Sequence, residues 1–139
     1  MISLSIPGPG IRSSLWVQLL AAILFGAAAA LALAPLYLWP LMVLGYAGLL
    51  SLLQRSSSTR RAFVHGWAFG TGYFLVGLHW VGHAFMVDAD RFAWLMPFAV
   101  IALATGLGLF PALAAALTRR LSAPGIRRLL AFTLFWGLT

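Results

Sequence analysis

Long apolar runs alternate with short polar breaks along this chain, and the spacing of the breaks sets the expected architecture. The first run covers 14–34 and rises about 31 Å at ~1.5 Å per residue, enough to cross the hydrocarbon core of a bilayer. Ala32-Leu33-Ala34 has the small-residue spacing of a signal-peptide cleavage site, and Arg12 precedes the run. Pro35 follows at once, however, and the run is longer than the ~7–15 residues of a signal h-region, so a retained helix is expected. The segment 35–40, Pro-Leu-Tyr-Leu-Trp-Pro, predicts a tight reversal. Pro35 lacks a donor and ends the first helix. Tyr37 and Trp39 carry the amphipathic rings found at headgroup depth.

Further runs predict a second span over 37–53, a third over 62–86 and a fourth over 92–117, with Pro97 and Pro111 as expected kinks in the last. Polar connections at 54–61, 87–91 and 118–128 separate them, and a tail at 1–13 precedes them. A fifth run occupies 129–139 but rises only about 16 Å, roughly half the hydrocarbon core. A chain end at that depth would leave carbonyls and a carboxylate unsatisfied in lipid. The expectation is therefore a truncated fifth helix in a longer protein. The fold class is all-α: a polytopic transmembrane helix bundle with four complete spans plus a truncated fifth.

Composition supports a hydrocarbon environment. Of 139 residues, 63% are hydrophobic and 8% charged, against about 25% charged in average chains. Every basic residue is Arg, and the only acids are Asp88 and Asp90. The net charge of +7 is not a nucleic-acid signature, because the arginines lie between apolar runs rather than among exposed aromatics. Arg12, then Arg55, Arg60 and Arg61, then Arg119, Arg120, Arg127 and Arg128 fall in alternate connections, with Arg91 alone on the opposite side. The positive-inside rule puts the N-terminus and both basic loops in the cytoplasm and the 87–91 loop outside.

Candidate chemistry is sparse. The absence of cysteine excludes disulfides, thiolate metal sites and cysteine nucleophiles within this sequence. His79 and His83 share a helix face at a spacing of four. Trp80 stands where a zinc-helix motif needs Glu, and neither Cys nor Glu is present to complete a site, so no metal or cofactor is expected. His65, one turn into the third span, reads as an interfacial imidazole. Asp88, Asp90 and Arg91 read as a solvated turn rather than an acid–base pair. No catalytic residue is expected. The glycines say more. Gly66, Gly70 and Gly77 lie at spacings of four and seven, with Gly72 and Gly82 beside them and Gly106 and Gly108 in the fourth span, a small-residue pattern that lets helix backbones approach. The rings of Phe63, Trp67, Phe69, Tyr73, Phe74 and Trp80 interleave with them, facing lipid or flanking an acyl chain.

Three blocks together resemble the N-terminal membrane region of bacterial apolipoprotein N-acyltransferases. They are the hairpin with Pro35, Trp39 and Pro40, the third helix with Gly66, Gly70, Gly72 and Gly77 ending Gly77-Leu78-His79-Trp80, and the closing Leu134-Phe135-Trp136-Gly137-Leu138-Thr139. The resemblance implies an inner-membrane protein with about eight helices and a periplasmic nitrilase-like domain late in the chain. It also implies a Glu–Lys–Cys triad that moves an acyl group from membrane phospholipid, through a thioester, to the α-amino group of a lipoprotein's diacylglyceryl-cysteine. This sequence has no Glu, Lys or Cys, so no triad position carries over, and the fragment alone is expected to be inactive. The partners implied are phospholipid, a lipoprotein substrate and the missing C-terminal periplasmic domain. A rival class is a small free-standing membrane protein, either a transporter or channel subunit or an assembly partner. No charge falls in mid-span to favour an ion or substrate path.

Overall fold

The computed structural model describes residues 14–33, 36–84, 86 and 93–121. Among them all regular structure is helical, in agreement with the all-α expectation. The elements are α1 (Leu15–Ala30), α2 (Trp39–Arg55), α3 (Thr59–Gly77), a single turn α4 (Val81–Ala84), a 3-10 turn (Ala93–Leu95), α5 (Met96–Leu107) and α6 (Leu109–Leu121). The tail 1–13, Pro35, the 87–91 connection and everything from 122 onward, including the fifth apolar run, lie outside the described residues.

Local chemistry explains most boundaries. Ten of the sixteen residues of α1 are Leu or Ala, strong helix formers. α2 opens with Pro40 in its first turn, where the missing N–H costs nothing, and closes on Arg55, whose charge suits the negative end of the helix dipole. Between α1 and α2 the chain reverses through Tyr37 at φ 51°, a left-handed conformation uncommon outside glycine. Ser58 caps α3 by accepting from Arg61 N at 3.3 Å. The third expected span, 62–86, is not one helix. α3 stops at Gly77, and 3-10-type bonds (Val81 N to Leu78 O, 2.9 Å; Gly82 N to His79 O, 3.1 Å) carry the chain into α4.

Of the two prolines expected to kink the fourth span, Pro97 instead sits in the first turn of α5, where proline is well tolerated. The break falls at Gly108, just ahead of Pro111. Pro111 has no N–H to offer Leu107 and crowds that carbonyl. Bonds from Gly108 N to Ala104 O (2.9 Å) and from Ala112 N to Gly108 O (3.2 Å) bridge the joint. The Trp67 indole donates across to Thr105 O at 3.0 Å, a neighbouring helix supplying a polar contact beside the break.

Glycine sets how these helices meet. α3 packs most extensively on α1 and on α6, and α2 lies against α1. At the α1–α3 crossing, a Cβ on Gly26 would strike Phe69 O and lie 2.9 Å from Tyr73 N, and a Cβ on Gly72 would strike Ile23 O. On the other flank of α3, a Cβ on Gly66 would lie 2.6 Å from Pro111 O, and one on Gly70 would lie 2.8 Å from Gly108 Cα. Gly45 of α2 meets Phe25 O and Ala29 in the same way. Direction follows from contacts spread along the helices: Trp16 shares a groove with Val64 and Trp67 and Leu33 meets Gly77, whereas Gly66 and Gly70 meet Ala115 and Gly108 in reverse order. α1 and α3 run parallel, whereas α2 and the α5–α6 arm run antiparallel to them. In consequence every arginine among the described residues (Arg55, Arg60, Arg61, Arg119, Arg120) lies at one end of the bundle.

The packed interior is small-residue rich. Ala22, Ala29, Ala62, Ala68 and Ala115 join Leu49, Leu53 and Phe69 in the core, with Phe69 flanked by the rings of Tyr46 (5.5 Å) and Tyr73 (6.5 Å). Large apolar side chains point outward instead: Leu24 is 68% exposed, Val43 62% and Phe98 66%. Among the described residues one helical stretch, Ala93–Arg120, is by itself long and apolar enough to cross a membrane; α1 is apolar but shorter. α3 falls short because Arg60, Arg61 and His65 occupy its first turns and the chain turns after Gly77.

Because Gly26 and Gly72 face backbone atoms that cannot rotate away, Gly26→Ala or Gly72→Ala should destabilise the bundle by about 1–3 kcal/mol. Gly106 has nothing within 4 Å of a built Cβ, so Gly106→Ala should be neutral or stabilise by up to ~1 kcal/mol. Thermal midpoints of the purified protein in detergent check both. Equal shifts for all three variants would mean that glycine contact does not set the packing.

Candidate functional site

Two sequence blocks far apart in the chain meet at the end of the bundle opposite the described arginines. The α1–α2 reversal contributes Leu33 and Leu36, and the end of α3 contributes Val76, Gly77 and His79, around a cleft of about 40 Å³. Gly77 has room there: a Cβ would sit 3.6 Å from Leu33 Cδ1, an ordinary contact. Gly77 therefore does not share the tight role of Gly66, Gly70 and Gly72. Trp39, at the head of α2, and Trp80, in the turn after α3, are both exposed, and Pro40 follows Trp39 in the first turn of α2. α4 joins this end to α5 through Gly82, where a Cβ would meet Met96 Cε at 2.5 Å.

His79 and His83 also lie at this end, with ring centroids 6.4 Å apart and edge-on. His79 Nδ1 is 2.8 Å from Val76 O, a contact made within its own helix end. Among the described residues no group of three metal-ligating side chains gathers. Asp88, Asp90 and Arg91 lie outside the described residues.

The opposite end contains a polar pair that the sequence reading missed. His65, expected at an interface, is 1% exposed, because its position on α3 turns it toward the end of α2. Its Nδ1 lies 2.9 Å from Ser56 Oγ, and that hydroxyl reaches Leu52 O at 2.9 Å. A hydroxyl has one proton; directed at Leu52 O, it leaves Nδ1–H as the donor to Ser56 and Nε2 as the bare acceptor. Nε2 is buried with no hydrogen-bond partner among the described residues. The pair ties the α2–α3 connection to the bundle. The available signal was the spacing of Ser56 and His65 across a short loop, which periodicity does not weigh.

The aromatic set divides in the same way. Phe69 is core, whereas Trp67 and Trp80 reach the surface. The sequence reading also passed over Gly26, Gly45 and Gly48, although Ala22-x-x-x-Gly26 repeats the pattern singled out on the third helix.

The profile of the apolipoprotein N-acyltransferase N-terminal domain matches residues 25–139. Apolipoprotein N-acyltransferase of Rhodopseudomonas palustris is 42% identical over 120 residues, covering 83% of this chain and 22% of its own length. That of Caulobacter vibrioides is 45% identical over 124 residues, covering 87% and 23%. That of Brucella melitensis is 51% identical over 73 residues, covering 52% and 14%. The chain thus spans about a quarter or less of the length of these relatives. A helical platform with these motif positions, matched by that profile over most of its length, belongs to the apolipoprotein N-acyltransferase family as a counterpart of its N-terminal domain.

Proposed function

We propose that this chain is the membrane platform of an apolipoprotein N-acyltransferase, an enzyme that transfers an acyl chain from phospholipid to the N-terminal diacylglyceryl-cysteine of lipoproteins. One observation carries the membrane part of the reading: every described arginine lies at one end of a bundle whose flanks are covered by exposed Leu, Val, Ile and Phe. A surface of that kind marks contact with lipid, and one-sided arginine is the topogenic pattern of cytoplasmic loops. On this reading the chain crosses the inner membrane four times and begins a fifth crossing, with its N-terminus in the cytoplasm. The end bearing Trp39, Gly77 and Trp80 then faces the periplasm, where the nitrilase-like domain of the whole enzyme would work.

The chain supplies position rather than chemistry. It contains no Cys, Lys or Glu, so it has neither the thiolate nor the base of a Cys-thioester mechanism. Purified and mixed with phospholipid and a diacylated lipopeptide, the 139-residue chain should give no N-acyl product by mass spectrometry; product would refute the assignment of chemistry to other residues. Replacing the corresponding quarter of the Caulobacter vibrioides relative by this chain should retain N-acylation, and a stably inserted but inactive chimera would count against the platform role.

Topology has a direct assay, because any cysteine introduced into this chain is unique. A membrane-impermeant maleimide should label Met86→Cys in intact spheroplasts and Ser57→Cys only after lysis. The reverse pattern would overturn the orientation.

A further inference from the structure

Toward the start of α3, before the Gly26–Gly72 crossing closes them together, α1 and α3 leave a groove of about 300 Å³. It is lined by Trp16, Leu20 and Ile23 from α1 and by Val64, Trp67 and Thr71 from α3. The volume is at the lower edge of the roughly 300–1,000 Å³ of small-molecule sites. Val64, Trp67 and Thr71 succeed one another at helical spacing, and one turn before Val64 the same face carries Arg60, which is exposed. The only carboxylates in the sequence are Asp88 and Asp90, in the connection assigned to the other side of the membrane, so Arg60 has no acid beside it among the described residues. An apolar slot with an exposed guanidinium one helical turn from its wall has the charge and shape of a site for one kind of molecule.

We infer that the α1–α3 groove holds the acyl chain of an anionic phospholipid of the cytoplasmic leaflet, its phosphate paired with Arg60. The inference rests on the membrane reading above, and it concerns the leaflet opposite the proposed site of acyl transfer. Apolar walls alone would not retain a lipid, because surrounding acyl chains are equally apolar. Selection comes from the headgroup: a guanidinium forks onto the phosphate, and a net anionic headgroup lacks the choline ammonium that would repel it. The bound chain would fill the α1–α3 gap below the glycine crossing, between walls that include Trp16 and Trp67.

The test uses the protein extracted from membranes into detergent and measured by native mass spectrometry with added phosphatidylglycerol or phosphatidylcholine. Wild type should retain phosphatidylglycerol in preference to phosphatidylcholine. Arg60→Gln should weaken that retention about fivefold. Leu20→Trp, at an exposed groove wall, should block retention of phosphatidylglycerol while leaving the thermal midpoint near wild type. Arg120→Gln, an exposed arginine at the same end of the bundle, should leave retention unchanged. Equal retention of both lipids, or equal loss with Arg60→Gln and Arg120→Gln, would overturn the site in favour of unspecific lipid contact or general surface charge. Neither result would touch the membrane reading, which falls separately if the protein is recovered soluble without detergent.

Discussion

Backbone-to-backbone contact between α1 and α3 is the constraint on which the other packing depends. Gly26 and Gly72 stand at one crossing, each facing main-chain atoms of the other helix, so the two axes come closer than any side chain there would allow. With that distance set, α2 folds over α1 through Gly45 and Gly48, and the α5–α6 arm reaches the far side of α3 through Gly66, Gly70 and Gly108. α3 is thereby held between two neighbours, and its two glycine faces are not interchangeable: one serves α1, the other α6. Such contacts gain dispersion energy from many short atom pairs and do not require expulsion of water.

This way of packing leaves bulky apolar residues no place inside. A core made chiefly of alanine would bury too little apolar area to hold a water-soluble chain of this size together. Phe69, Leu49 and Leu53 are the large exceptions, and they sit where α2 covers the α1–α3 pair. The leucines, valines and phenylalanines that would form a soluble core are on the outside. Small inside and large outside is one arrangement seen from two directions, and both suit hydrocarbon as the surrounding medium.

The sequence made the helical class readable, because apolar runs and their breaks depend on local composition alone. It also made Gly66, Gly70 and Gly72 visible, since small residues four apart stand out among rings. It gave less at the joints. Whether 62–86 continues past Gly77 depends on 3-10 bonds around Leu78 that periodicity does not register. Pro97 and Pro111 look alike in sequence, yet one opens a helix and the other follows a break. His65 was misplaced for a related reason: an imidazole near a span end is ordinarily interfacial, and only the meeting of α2 and α3 turns it onto Ser56. Gly77, spaced like its neighbours, faces a loose contact because α1 has already turned away at Leu31.

The two ends of the bundle differ in how they hold α3. At the arginine end, the Ser56–His65 pair and the cap on Ser58 fix the α2–α3 connection, so the start of α3 is held by polar bonds as well as by packing. At the other end α3 gives way to turns, an exposed Trp80 and a loosely filled cleft beside Gly77. A helix anchored at one end and by glycine contact along its middle transmits its position to the turns beyond Gly77 without needing tight packing there. That freedom is what a docking surface for another domain requires. Under the proposed platform role, the Gly77-Leu78-His79-Trp80 block, rather than the close-packed Gly66–Gly72 stretch, is the part of α3 placed to meet a catalytic domain.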